Sequence, residues 1–211
     1  LFANFTIKRV AEIFGLTVFC AGILLLLSLL TYSPDDPNFI FPENTKIENI
    51  LGFHGSFVSD LFFQSIGLIS YLFSFTLIVT GINIIISKEF FLIIENVFFA
   101  IIYCILGTLF FSHFYPDDFT LYINGNGGFI GGYLNQTFLN SIILINDVIF
   151  YYFLIVLNFF LFLISINFHP IKFYELLKNI NRVFTKRERK NYTDKNEIIS
   201  EYIPQEEIKN L

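Results

Sequence analysis

The chain has 211 residues, of which 55% are hydrophobic and 15% are charged, whereas a soluble domain normally carries about 25% charged residues. The charges stand in short islands between long apolar runs, which excludes an ordinary soluble domain and indicates a chain embedded in lipid. The formal net charge of -5 says little about partners, because the two sides of a membrane differ in charge. Since the chain begins at Leu1 and contains no Met, we expect a fragment that lacks its initiator.

Four apolar runs are long enough to cross a bilayer, at about residues 13–31, 61–86, 90–112 and 146–166. They predict an all-α membrane domain over residues 1–169. Of the 13 Lys and Arg residues, 12 lie before the first run, between the second and third, or after the fourth. Positive residues are retained on the cytoplasmic side, so this bias predicts that both termini are cytoplasmic.

An internal repeat divides the four spans into two similar helical hairpins. A Pro-Asp-Asp element at residues 34–36 recurs at residues 116–118, each time just after an odd-numbered span. A Gly-x-x-Gly element at residues 52–55 recurs at residues 128–131, each time opening an even-numbered span. The candidate interaction residues are the motif positions Pro34, Asp35, Asp36, Pro37, Gly52, Gly55, Asp60, Gly67, Gly128 and Gly131.

The even-numbered spans are longer than a bilayer requires. Residues 56–86 and 132–166 would measure about 46 Å and about 52 Å as unbroken helices, against a hydrocarbon core of about 30 Å. We therefore expect the extra turns to project from the membrane, to lie along its surface, or to break. Counting back from the end of the fourth span places Asp147 at the membrane interface, and Asp60 is predicted to have the equivalent place in the first hairpin.

The sequence predicts no catalytic, cofactor or metal site. The phosphate-binding pattern Gly-x-x-x-x-Gly-Lys-Ser/Thr is absent, and the glycine cluster at residues 125–132 is interpreted as a structural turn. His54, His113 and the loop carboxylates could bind a divalent cation, although no ligand spacing supports such a site. Glu95 lies inside the third span, and a carboxylate there could relay protons. The favoured interpretation is that Glu95, with Asn96, stays near the cytoplasmic interface or forms a hydrogen bond to a neighbouring helix.

The segment after the fourth span is basic and amphipathic. Residues 170–190 alternate apolar and basic side chains at helical spacing, which is typical of a helix lying on anionic lipid. The basic residues assigned to lipid are Lys186, Arg187, Arg189 and Lys190. A DNA-binding arm is the alternative interpretation of the same charges. Residues 191–211 are polar and mixed in charge, and predict the start of a flexible cytoplasmic linker.

Several motifs resemble the N-terminal membrane domain of the FtsK/SpoIIIE DNA translocase family. They are Tyr32-Ser33-Pro34-Asp35-Asp36-Pro37-Asn38-Phe39, Asn49-Ile50-Leu51-Gly52-Phe53-His54-Gly55, the run Ser59–Tyr71, and Gly125-Asn126-Gly127-Gly128-Phe129-Ile130-Gly131. The resemblance covers roughly residues 8–170, in a chain that departs from the family by lacking Trp and being poor in Ala. It implies a membrane anchor for an ATP-driven DNA pump at the division septum, active in chromosome segregation and cell division.

The resemblance also implies which partners and cofactors belong to other parts of such a protein. ATP and Mg²⁺ are expected only in the motor domain, which the chain lacks, and DNA is expected to bind only through that motor. Homo-oligomerisation is likewise expected through the motor, whereas the membrane domain would contact the lipid bilayer and other division proteins. No catalytic residue of the family can be placed on this chain. The alternative function is a small membrane transporter or channel subunit, which would require a polar pathway through the spans.

Overall fold

The structure, a computed structural model, describes residues 2–37, 46–116, 124–170 and 178. It divides the chain into two units, Leu1–Asn167 and Phe168–Leu211. The helices of the first unit are α1 (Phe2–Leu30), α2 (Gly52–Ile66), α3 (Ser70–Ser87), α4 (Leu92–Phe114), α5 (Gly128–Asn135), α6 (Phe138–Ile143) and α7 (Asp147–Ser165), with a 3-10 turn at Gly67–Ile69 between α2 and α3. The described residues contain no strand. In the second unit, the described residues are 168–170 and 178.

Four segments are long and apolar enough to cross a membrane: Phe5–Leu30, Gly52–Ser87, Leu92–Phe114 and Asp147–Ser165. This confirms the predicted all-α domain with four spans. Most of their outward side chains are aliphatic or aromatic, as expected for helices that are apolar on all sides. The first helix begins before the predicted residue 13, because residues 2–12 contain neither Gly nor Pro to interrupt it.

The excess length of the even-numbered spans is absorbed by breaks. The second span is interrupted at Gly67, whose φ of 63° is accessible to glycine at little cost. The helix beyond this break, α3, has 18 residues and is therefore about 27 Å long, close to the thickness of the hydrocarbon core. The fourth span is preceded by two short helices, α5 and α6, and α7 itself has 19 residues.

Each odd-numbered span packs along the membrane-crossing helix of the following even-numbered span. Helix α1 lies mainly against α3, and α4 lies mainly against α7, so the two predicted hairpins are present. At the turn between α3 and α4, Lys88 adopts a left-handed conformation with φ 62°. Its ammonium group lies 2.9 Å from the carboxylate of Glu12 on α1, which ties this turn to the first helix.

The α1–α3 contact depends on glycines that allow the two backbones to approach closely. A Cβ atom added at Gly81 of α3 would lie 2.5 Å from the backbone nitrogen of Phe19 and 2.7 Å from the carbonyl oxygen of Gly15. Gly15 belongs to the pattern Ala11-x-x-x-Gly15, and Ala11 is buried. Small residues at such positions are what permits close helix packing in membranes.

We predict that Gly81→Ala destabilises the first hairpin, because the added methyl group collides with backbone atoms that cannot move independently. Overpacking of this kind costs about 1–3 kcal/mol. The matched control is Gly132→Ala in α5, where an added Cβ has no atom within 4 Å and helix propensity favours alanine. Thermal unfolding in mild detergent, followed by circular dichroism, should show a lower midpoint for Gly81→Ala alone. Equal midpoints for the two variants would contradict the close crossing.

Candidate functional site

The loops after α1 and α4 lie at the same end of the first unit, called here the loop end. We define the first cap as the described residues 31–37 and 46–55, and the second cap as residues 115–116 and 124–131. The two caps contain most of the predicted motif positions. They are the candidate functional site because they combine buried polar groups with backbone geometry that only glycine readily adopts.

Asp36 is the centre of the first cap. Its side chain is 3% exposed, and its two carboxylate oxygens accept hydrogen bonds from the backbone nitrogens of Glu48, at 2.8 Å, and Asn49, at 2.9 Å. The carboxylate therefore joins the beginning of the loop to its end. Of its neighbours, Asp35 is exposed, so the structure gives the two aspartates of the Pro-Asp-Asp element different environments.

Asn49 closes the end of α1. Its side-chain amide donates to the carbonyl oxygens of Ser28, at 2.9 Å, and Thr31, at 3.2 Å, which are among the groups that a helix end leaves unpaired. Its side-chain oxygen accepts from the backbone nitrogen of Leu51 at 3.1 Å. A Cβ atom at Gly55 would lie 2.1 Å from that oxygen, so Gly55 is required by the position of Asn49.

The remaining motif positions of the first cap have separate roles. Pro37 is buried, and its carbonyl oxygen accepts from the Ser56 hydroxyl at 3.0 Å. Pro34 is exposed. Gly52 opens α2 with φ 65°, in open space, so its glycine is required by backbone conformation alone.

Asp60 lies in the middle of α2 and faces Tyr32. The Tyr32 hydroxyl donates to its carboxylate at 3.3 Å, and the side-chain amide of Gln64 lies 3.4 Å from the same oxygen. Burial of the phenol, and then the negative charge of Asp60, raise the pKa of Tyr32 to about 12. Tyr32 therefore remains a neutral hydrogen-bond donor at physiological pH. This placement differs from the predicted equivalence with Asp147, which is instead the first residue of α7, because the break at Gly67 separates Asp60 from the membrane-crossing helix.

We predict that Asp36→Ala weakens the first cap much more than Asp35→Ala does. The buried carboxylate holds two backbone N–H groups, and hydrogen bonds to a charged group contribute about 1.5–3 kcal/mol. Trypsin cleavage after the exposed Lys46 should accelerate in Asp36→Ala, and thermal stability in detergent should fall. The Asp35→Ala variant is the matched control for loss of charge. Equal sensitivity of both variants would show that charge, and not the buried hydrogen bonds, holds the loop.

The second cap docks onto the break in the second span. The backbone nitrogen of Leu68 donates to the carbonyl oxygen of Asn126 at 2.9 Å, and a Cβ atom at Gly67 would lie 1.9 Å from that oxygen. Gly128 has φ 64°, and its own Cβ would lie 2.7 Å from the backbone of Ser65. The two glycines thus meet backbone to backbone, and we call this contact the Gly67–Gly128 joint.

The second cap repeats the construction of the first. Asn126 is completely buried, and its side-chain amide donates to the carbonyl oxygen of Tyr115 at the end of α4, as Asn49 does at the end of α1. Gly128 opens α5 with a positive φ, as Gly52 opens α2. A Cβ atom at Gly131 would lie 2.4 Å from the carbonyl oxygen of Thr108 on α4. In each cap an asparagine just ahead of Gly-x-x-Gly binds the preceding span, and that asparagine is the signal that sequence analysis missed.

We predict that Gly67→Ala is more damaging than Gly52→Ala, although both positions have a positive φ. An alanine at either position is strained by the positive φ, and Gly67, with ψ -145°, has a conformation that essentially only glycine adopts. Only at position 67 would the new methyl group also overlap the Asn126 carbonyl. Thermal unfolding should rank the variants in that order below wild type. If Gly52→Ala proves equally damaging, then strain alone accounts for the requirement and the joint contributes nothing.

A polar seam, which sequence analysis did not predict, joins the two hairpins within the spans. It consists of Thr76, Thr80 and Asn83 on α3, Asn96 and Tyr103 on α4, and Ser165 and Asn167 at the end of α7. The hydroxyl of Thr76 lies 2.8 Å from that of Tyr103 and 3.1 Å from that of Ser165. All three side chains are completely buried.

The seam continues towards the turn between α3 and α4. Asn96 donates to the Thr80 hydroxyl at 2.9 Å and accepts from the side-chain amide of Asn167 at 2.8 Å. Asn83 donates to the carbonyl oxygen of Ile166 at 3.0 Å. These groups are neutral amides and hydroxyls that bind one another, so the seam fastens helices and offers no ionised group for proton relay.

The other candidate residues occupy peripheral positions. Glu95 is exposed in the first turn of α4, which agrees with the favoured interfacial interpretation. His113 faces Asn135, at 3.4 Å, and Asp147, at 3.7 Å. Among the described residues, no group of three or more His, Cys, Asp and Glu side chains could hold a metal ion. The lipid-binding candidates Lys186, Arg187, Arg189 and Lys190 lie outside the described residues.

Comparison with known proteins identifies the region that the chain matches. A family of sequences described as the 4TM region of DNA translocase FtsK/SpoIIIE matches residues 7–178. No curated protein and no solved structure gives a significant match. The matched residues include the first span from residue 7 onward, the other three spans in full, and the described parts of both caps.

Proposed function

The chain belongs to the family of the 4TM region of DNA translocase FtsK/SpoIIIE, and from this membership we propose that it anchors such a translocase in the bacterial inner membrane at the division septum. The observation that carries the proposal is the match of residues 7–178, nearly the whole four-span unit, to that region. The chain is a multi-pass membrane protein. The positive-inside distribution supports an orientation with the caps outside and both termini in the cytoplasm.

The anchor proposal is supported by how the two hairpins are held together. A motor that pulls DNA exerts a reaction force on its attachment, so an anchor needs spans that do not separate under load. The Gly67–Gly128 joint binds the hairpins at the loop end, and the polar seam binds α3, α4 and the end of α7. Asn83 and Asn96 fix Ile166 and Asn167, where the last span ends.

Nucleotide and DNA chemistry are proposed to belong to the motor and not to this chain. The chain lacks a phosphate-binding loop pattern, so we propose that it has no ATPase activity of its own. ATP, Mg²⁺ and DNA would be bound by the motor, through which the protein would also oligomerise. The basic residues of the segment 170–190 are proposed to bind anionic lipid.

Contacts with other division proteins are proposed for the caps. Outside the first turns of α2 and α5, the described parts of both caps are ordered by buried hydrogen bonds, and loops positioned on a rigid scaffold commonly carry binding residues. A structured cap of this kind presents exposed Pro34 and Asp35 in a fixed arrangement. Its acidic character would favour partners with a complementary positive surface.

The alternative function, a small transporter or channel subunit, is less well supported. Among the described residues, the buried charged side chains are Asp36 and Asp60, and both belong to the loop end. The seam side chains bind one another, and a cavity of about 200 Å³ between the hairpins is lined by apolar residues such as Phe73, Ile101 and Cys104. A transport pathway would require polar groups facing an open space.

A fluorescent fusion to the C-terminus of the whole chain tests the septal proposal. In dividing rod-shaped bacteria with compatible division proteins, the fusion should concentrate at mid-cell. Asp36→Ala should reduce this enrichment while the fusion remains in the membrane. The control is Gly132→Ala, where an added Cβ has no atom within 4 Å and the cap hydrogen bonds are unchanged. A stable wild-type fusion that is uniform around the membrane would overturn the septal assignment and leave the four-span insertion intact.

A further inference from the structure

Helices α5 and α6 belong to the last part of the connection between α4 and α7, a part that carries no charge. From Asn124 to Asn146 the sequence contains no Asp, Glu, Lys or Arg. A connection of this length exposed to water would normally carry several charged residues, since about 25% of residues in soluble domains are charged. The composition therefore favours an environment other than bulk water.

The contacts of this segment place it below the ends of the flanking spans. Ile143 of α6 packs in one cluster with Leu109 of α4 and Leu154 of α7. Those positions are about 8 Å and about 10 Å along their helices from the loop-end termini, at about 1.5 Å per residue. Gly131 of α5 lies against Thr108, at a similar depth. Because α7 is about as long as the hydrocarbon core is thick, these contacts fall within the leaflet at the loop end.

Both helices carry large apolar side chains on their outward faces as well as on their inward ones. Phe129 and Tyr133 of α5 are 65% and 64% exposed, and Phe138 of α6 is 72% exposed. Leu134 and Ile143 fill the inner faces. Exposed apolar patches of this kind are rare on surfaces that face water.

Lipid, and not a second protein, is the occupant that these features fit. Exposed apolar residues continue along the chain from α6 into α7: Leu144 and Ile145 are 60% and 79% exposed, and Val148 and Ile149, on a membrane-crossing helix, are 67% and 62% exposed. The polar residues of the segment are neutral, and Gln136 and Ser141 are exposed, as suits the headgroup boundary. Tyrosine, such as Tyr133 of α5, is enriched at the membrane–water interface of membrane proteins.

We propose that α5 and α6 form an interfacial lipid-binding surface that is inserted into the leaflet at the loop end, without crossing it. Helices of this type bury their apolar face about 5–10 Å into the boundary between headgroups and acyl chains. The second hairpin thus contacts the bilayer through its connection as well as through its spans. The second cap is then held from two sides, by lipid contact of α5 and by the Gly67–Gly128 joint.

The absence of Trp from the chain allows a direct test. Single variants Phe138→Trp and Phe129→Trp place the indole on outward faces, where the replaced ring is largely exposed. Each is reconstituted in phosphatidylcholine vesicles whose acyl chains are brominated near the headgroup or near their ends. Controls are Lys46→Trp, at an exposed charged position, and Val156→Trp, at a lipid-facing position midway along α7.

We expect blue-shifted emission from the Phe138→Trp and Phe129→Trp variants, with quenching by shallow bromines several-fold stronger than for Lys46→Trp. Val156→Trp should respond more to the deep bromines. Quenching of Phe138→Trp and Phe129→Trp by aqueous acrylamide, to the level of Lys46→Trp, would overturn the proposal in favour of a water-exposed loop. Blue-shifted emission that neither bromine nor acrylamide quenches would overturn it in favour of a protein contact, such as a second copy of the chain.

Discussion

Every backbone group freed by a break in a membrane helix must find a partner within the protein, because the hydrocarbon supplies none. The second span breaks at Gly67, and the N–H group of Leu68 is bound by the Asn126 carbonyl. The close approach that makes this bond possible requires glycine at positions 67 and 128. The second cap therefore binds the second span where it breaks, at the loop end of the membrane-crossing helix α3, and this contact joins the two hairpins.

The polar seam adds a second connection of a different kind. Hydrogen bonds between membrane helices are individually modest, averaging about 0.6 kcal/mol where they have been measured. Several of them act together between α3, α4 and the end of α7, and Thr76 and Asn96 each bind two partners. A joint at the loop end and a seam along the spans prevent the hairpins from rotating about a single contact, which suits an anchor better than a gated transporter.

The spans, the repeat and the excess length of the even-numbered spans could be predicted from the sequence, because they follow from length and composition. The sequence left open whether the extra turns project from the membrane, lie along its surface or break, and the structure shows a break at Gly67. The polar seam could not be predicted. Its α3 residues are isolated polar positions in an apolar run, and their hydrogen-bonding partners on α4 and at the end of α7 are distant in sequence. The Pro-Asp-Asp element was recognised, but pattern alone could not distinguish the buried Asp36 from the exposed Asp35. Asp60 was placed by analogy with Asp147, which failed because the two even spans break at different points.

The two hairpins share the Gly-x-x-Gly element, but this element makes different contacts in each hairpin. In the first hairpin, Gly55 contacts residues of the same hairpin. The side chain of Asn49 lies beside Gly55, and the Ser28 hydroxyl donates to the Gly55 carbonyl oxygen. In the second, Gly131 likewise closes onto Thr108 of its own odd span, but Gly128 also reaches the break in the other hairpin. One repeated element thus makes an internal contact twice and a contact between hairpins once. That asymmetry, more than the symmetry of the repeat, makes the four spans a single folded unit.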